Sequence, residues 1–148
     1  VLSSTAAKIG QPTMWQDRIA AVRAGGMAAL ADATLERWFS KRSRIDDTRL
    51  APIRQMLLRT PPEGYMGCCA AIAGTDFYTP TSGLRLPTLG IAGSDDGSTP
   101  PDLVRETVDL IQGSKFHLIR QAGHLPCIDQ PEAFAQALGD FLKESGHV

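Results

Sequence analysis

The stretch PTLGIAGSDDGSTPP, residues 87–101, decides how the second half of this chain is read. A short apolar run closes on a glycine, which predicts a buried strand over residues 84–93, with Pro87 among its first residues. A Gly/Asp/Ser turn follows, and Pro100-Pro101 opens a helix over residues 102–111. The pattern then repeats. KFHLI, residues 115–119, reads as a second strand. QAGH, residues 121–124, is a loop, and residues 131–143 form an amphipathic helix with Phe134, Leu138, Phe141 and Leu142 turned inward. Strands alternating with helices predict a parallel sheet with helices on its faces, an α/β architecture.

Before residue 84 the chain is helical. Helices are expected over residues 14–23, with Trp15, Ile19 and Val22 on one face, and over residues 27–39, with Leu30, Thr34, Leu35 and Trp38 in a stripe. Two more are expected over residues 48–59, with Pro52 near the first turn, and over residues 63–73, after the Pro61-Pro62 break. The opening VLSST reads as the end of a buried strand. Two or three strands are too few for a parallel sheet, which buries both faces. Two readings of this start stay open on the residues alone: a processed or trimmed terminus, or the C-terminal part of something longer.

The 148 residues carry a formal net charge of −1, with 43% apolar and 21% charged side chains, the composition of a globular domain. No Lys/Arg cluster marks a nucleic-acid surface, and no apolar run has the length of a membrane span. VLSSTAAKIG lacks the charged and apolar regions of a secretory leader. The three cysteines, Cys68, Cys69 and Cys127, form neither a disulfide framework nor a metal-ligand spacing, so a reducing, cytoplasmic setting is expected. All three are expected to pack as small buried residues.

Asp95 and Asp96 follow the first of these strands, and His124 follows the second. In an open α/β sheet, sites sit at the carboxyl ends of the strands. Right-handed crossover brings these two loops side by side. An acid beside an imidazole fixes its tautomer and stabilises its charge during proton transfer, which is two thirds of a nucleophile–His–acid triad. Taken singly, turn chemistry explains the acidic loop, and a lone loop histidine is no constellation. The nucleophile is missing: Gly-x-Ser-x-Gly occurs nowhere, and Ser82, Ser94, Ser98 and Ser114 lie on no strand–turn–helix elbow. Cys127 offers a Cys–His pair as a less favoured alternative.

With these residues in view, the chain resembles the C-terminal part of the α/β-hydrolase family, and within it the 3-oxoadipate enol-lactonases of aromatic degradation by the β-ketoadipate pathway. The resemblance runs along the whole chain. Gly93, Asp96 and Pro100 match the family's Gly-x-x-Asp-x-x-x-Pro, and Ala122-Gly123-His124 matches its histidine loop. TAAKIGQPTMWQDRIAAVRAGGM (residues 5–27), ERWF (36–39) and GYMGCCAAIAGTDF (64–77) look like enol-lactonase segments.

The resemblance implies a core strand over residues 1–5, a helical cap over 6–60 and the C-terminal part of the hydrolase core over 61–148. It implies Asp96, not Asp95, as the triad acid and His124 as the base. The nucleophile serine and the oxyanion hole would lie in an N-terminal half of the same enzyme. No metal or organic cofactor is implied. The substrate would be a small carboxylated lactone or ester, and its carboxylate calls for a cationic or N–H donor. Trp15 and Arg18 are the expected substrate-binding residues, although Trp15 equally suits packing of the cap, as do Trp38 and Met14. Two alternatives remain open: another α/β hydrolase, such as a carboxylesterase or a cofactor-free haloperoxidase-like enzyme, and an inactive fragment that associates through its exposed sheet edge.

Overall fold

The computed structural model describes residues 1–147. The elements run β1 (Leu2–Ser3), α1 (Pro12–Gly25), α2 (Ala28–Trp38), a 3-10 turn at Ser43–Ile45, α3 (Asp47–Arg59), α4 (Pro62–Ala73), α5 (Tyr78–Ser82), β2 (Leu89–Gly93), α6 (Pro101–Asp109), β3 (Lys115–Ile119), α7 (Pro126–Asp129) and α8 (Pro131–Glu144). The three strands form one parallel sheet in the order β1-β2-β3, with Leu2 opposite Gly90 and Gly90 opposite Phe116.

The central strand shows why LGIAG is apolar throughout. All five of its residues are buried, because helices cover both faces. Leu89 and Ile91 join Ile119, Ala137 and Phe141 beneath α8, while Ala92 packs with Val104 and Val108 of α6. This alternation is the two-residue period of a strand. Gly90 faces α6: a Cβ there would sit 2.1 Å from Val108 Cγ2, so its absence lets helix and sheet approach.

The strand is shorter than the expected 84–93. Leu84 and Leu86, at 41% and 69% exposure, lie outside it, and pairing begins two residues after Pro87. An apolar run does not by itself mark a strand boundary when tertiary cover ends earlier. Pro52 also sits deeper than expected, in the second turn of α3, where it leaves the Thr48 carbonyl without its helical N–H. Asp46 caps that helix by accepting from the N–H groups of Thr48 and Arg49.

The exit of α2 stands over the carboxyl end of the sheet, where Arg37 O accepts from Gly97 N–H and Trp38 O from His124 N–H. α1 packs between α2 and α4, and α2 packs on α3. Leu35, Phe39 and Leu57 form their buried centre, joined by Leu125 and Ile128 from the segment after His124. These helices are thus packed directly on the segment that follows the histidine. Among the described residues no helix is long and apolar enough to cross a membrane.

Candidate active site

The acid loop leaves β2 and is joined at once to the loop beyond β3. Ser94 N–H donates to Ile119 O at 2.9 Å, and Asp95 N–H to Ala122 O at 2.8 Å. A Cβ on Gly93 would lie 2.2 Å from Gly123 O, so only glycine allows this approach. The next residue inward is Asp96, 5% exposed. Its Oδ1 accepts the Ser98 and Thr99 N–H groups at 2.7 and 2.9 Å, and its Oδ2 accepts the Thr99 hydroxyl at 3.0 Å. That same Oδ2 lies 2.9 Å from His124 Nδ1. Asp95 instead points outward and accepts from Ser94 Oγ. The acid facing the histidine is therefore Asp96.

Burial pushes the Asp96 carboxyl up, but the His124 hydrogen bond, the Thr99 and Ser98 N–H groups and the His124 charge together bring it below the ordinary carboxylate value. An ionised carboxylate only accepts, so the proton between the two residues sits on His124 Nδ1. Nε2 is then the nitrogen left for proton transfer. Thr99, 1% exposed, also has its hydroxyl 3.3 Å from Nδ1 and braces the pair from one side. The Trp38 ring stacks on the imidazole with centroids 6.0 Å apart.

Above His124 is a pocket of about 520 Å³. Trp15, Arg18, Arg37, Trp38, Tyr65 and Cys68 line it, and among the described residues no Asp or Glu belongs to its wall. Trp15 lines the pocket and is packed into the helices around it. It is 7% exposed, donates its indole N–H to Ile9 O at 2.7 Å, and presents its ring to the Arg18 guanidinium at 4.7 Å. Met14 and Trp38 also line the pocket. Burial, and then the nearby Arg18 charge, hold the Arg37 guanidinium below its ordinary value. Among the described residues neither arginine has a carboxylate within ion-pair distance. Arg18 meets the Tyr65 hydroxyl instead.

Sequence reasoning missed Arg37, Tyr65 and Thr99. Arg37 lies in the quoted ERWF, beside Trp38, and its place in the last turn of α2 was the available signal. The cysteine expectation needs correction. Cys69 is buried, but Cys68 and Cys127 are exposed. Neighbours on a helix point about 100° apart, so Cys68 and Cys69 cannot both face inward. In α7 the buried positions are Pro126 and Asp129, which turns Cys127 outward. No hydrogen bond joins His124 to a serine or cysteine among the described residues, and none of their His, Cys, Asp and Glu side chains cluster as a metal site.

A parallel sheet that joins an acid to a histidine at its carboxyl end, beneath packed helices, is the C-terminal part of an α/β-hydrolase fold. In sequence the chain is similar to the 3-oxoadipate enol-lactonases. It is 37% identical to 3-oxoadipate enol-lactonase 1 of Acinetobacter baylyi over 143 residues, which is 96% of this chain and 53% of that protein. The enol-lactonase of Burkholderia xenovorans superposes with a TM-score of 0.91 at 36% identity, covering 95% of this chain and 54% of that one. An esterase of Thermogutta terrifontis, solved with malate bound, superposes with a TM-score of 0.88 at 30% identity, covering 99% of this chain and 56% of that one. The chain spans about half the length of the relatives it matches. No family model matches it.

Proposed function

We propose that this chain carries the acid and base of a serine-type hydrolase acting on a small carboxylated enol-lactone. The observation that carries the reading is the Asp96–His124 contact beneath a pocket that holds two arginines and, among the described residues, no acid. Two cations without a carboxylate partner favour an anionic ligand. The enol-lactonase relatives support the lactone.

The serine and the oxyanion donors belong, on this reading, to the part of the relatives' length that this chain does not span. His124 Nε2 takes the serine proton as the serine attacks the lactone carbonyl, and later deprotonates the water that releases the acyl group. Asp96 keeps Nδ1 protonated and stabilises the imidazolium. Arg18 and Arg37 hold the substrate carboxylate away from the reacting carbonyl, while Trp15 and Trp38 exclude water. The free thiols support a reducing, cytoplasmic setting.

The test is hydrolysis by the full-length protein of a carboxylated enol-lactone beside neutral lactones and esters, with fluorophosphonate labelling read by intact mass. Preference for the carboxylated lactone is expected. Equal turnover of a neutral ester sinks the lactone assignment, and absence of any label sinks the serine mechanism. The malate-bound esterase favours one second reading, a carboxylesterase for acidic esters. The same panel separates the two.

A further inference from the structure

Asp129 is a buried carboxylate that the proposed chemistry does not use. It ends α7 and is 6% exposed. Its Oδ2 accepts Gly123 N–H at 2.7 Å and Ser40 N–H at 3.3 Å. Its Oδ1 is buried with no hydrogen-bond partner among the described residues. Leaving a carboxylate oxygen unpaired in the interior is costly, so a side chain kept merely to fill space there would be better apolar.

What the other oxygen does lies one residue from His124. Gly123 is pressed against the exit of α2, where a Cβ would stand 2.2 Å from Trp38 O. His124 N–H donates to that same Trp38 carbonyl at 2.7 Å. The acid loop is held by the same segment, through Gly97 N–H to Arg37 O at 3.0 Å. Residues 37–40 of the cap therefore touch both triad loops, and Asp129 joins that segment to the histidine loop by accepting one N–H from each.

We infer that Asp129 is a positioning residue for His124: its Oδ2 bridges Gly123 N–H and Ser40 N–H and so sets the distance from His124 Nδ1 to Asp96. The inference rests on the reading of His124 as the base. It concerns geometry rather than turnover. A backbone held from both sides leaves the imidazole a narrow range of approach, which is what preorganised proton transfer requires. Asn at 129 keeps an oxygen that can accept both N–H groups, whereas Ala removes the bridge and leaves two buried donors unpaired.

The experiment uses the 148-residue chain labelled with [15N]histidine, with His117→Gln and His147→Gln variants to assign the His124 ring. The readout is the low-field Nδ1–H resonance of His124. It is expected in the parent and in Asp129→Asn, and lost in Asp129→Ala while thermal unfolding stays cooperative. A folded Asp129→Ala chain that keeps the resonance at full intensity overturns the inference. So does its loss in Asp129→Asn, because the effect would then belong to the charge. Should Asp129→Ala not fold, amide exchange in the parent chain decides: Gly123 and Ser40 are expected to be protected, and a Gly123 amide exchanging like a free loop overturns the bridge. Asp96→Asn is the control for the underlying reading. If it leaves the resonance untouched, the Asp96–His124 pair fails on its own, whatever Asp129 does.

Discussion

Asp96 Oδ2 and His124 Nδ1 are 2.9 Å apart, although 27 residues and a whole helix separate them along the chain. The carboxylate is already saturated on its other oxygen by two backbone N–H groups. It has little freedom to turn away from the imidazole. Asp96→Asn keeps the shape and offers an amide where Nδ1–H needs an acceptor. In the full-length protein this substitution is expected to lower kcat by roughly 10⁴-fold with little change in KM, the size of effect seen when a triad acid becomes an amide. Steady-state kinetics on the carboxylated lactone check it, and a loss under tenfold would deny Asp96 its role.

The same carboxylate predicts an acid-side stability effect. Its folded value lies below the ordinary one, so the unfolded chain binds the proton more readily. The contribution is fully present above the unfolded carboxyl value of about 3.9 and is lost as pH falls through the lower folded value. Urea unfolding of the chain between neutral and acid pH should show a shallower loss of stability below about pH 4 in Asp96→Asn than in the parent. Parallel curves would contradict the depressed carboxyl.

Thr99 gives a subtler test. Its hydroxyl has one proton, donated to Asp96 Oδ2, and its lone pair faces Nδ1. Thr99→Val keeps the volume and removes both contacts. The chain should lose about 2 kcal/mol of stability, as for a buried hydrogen bond to a charged group. In the full-length protein kcat should fall less than in Asp96→Asn, since the backbone donors still hold the acid. Differential scanning calorimetry and kinetics on the same variant separate the two effects.

Much of this was readable in the residues. LGIAG and KFHLI announced strands, and the order of acid and histidine along the chain announced the pair, because strand–helix alternation fixes where consecutive loops go. What escaped was set by contacts distant in sequence. α5 and α7 are a turn or so long, too short for a helical period to register. Arg37 is one of many basic residues until α2 turns it toward Arg18. Asp129 reads as an ordinary acid after a proline until Gly123 and Ser40 meet it. Cys68 and Cys127 were misplaced because composition speaks for an average cysteine and not for the side of a helix.

Those exposed thiols are themselves testable. A thiol reagent applied to the native chain should titrate Cys68 and Cys127 rapidly and leave Cys69 untouched until denaturant is added, since Cys69 is buried and burial raises its thiol. Peptide mapping assigns the labelled residues. A bulky adduct on Cys68, in the pocket wall, should also raise KM in the full-length protein, whereas one on Cys127, outside that wall, should not.

The two arginines make the sharpest statement about substrate. Arg18 leans on the Trp15 ring, while Arg37 is half-buried with its Nε unpaired. If they hold a carboxylate, truncating either removes a charged hydrogen bond made equally in the ground and transition states. That raises KM and leaves kcat alone. Arg18→Ala and Arg37→Ala should each raise KM for a carboxylated substrate roughly 30-fold, the equivalent of about 2 kcal/mol. Turnover of a neutral ester should be unchanged. Arg37→Ala keeps the backbone carbonyl that accepts Gly97 N–H, so the acid loop stays in place and the side chain alone is tested. Equal losses on charged and neutral substrates would mean that the arginines support the pocket wall, and the carboxylate would have to be held elsewhere.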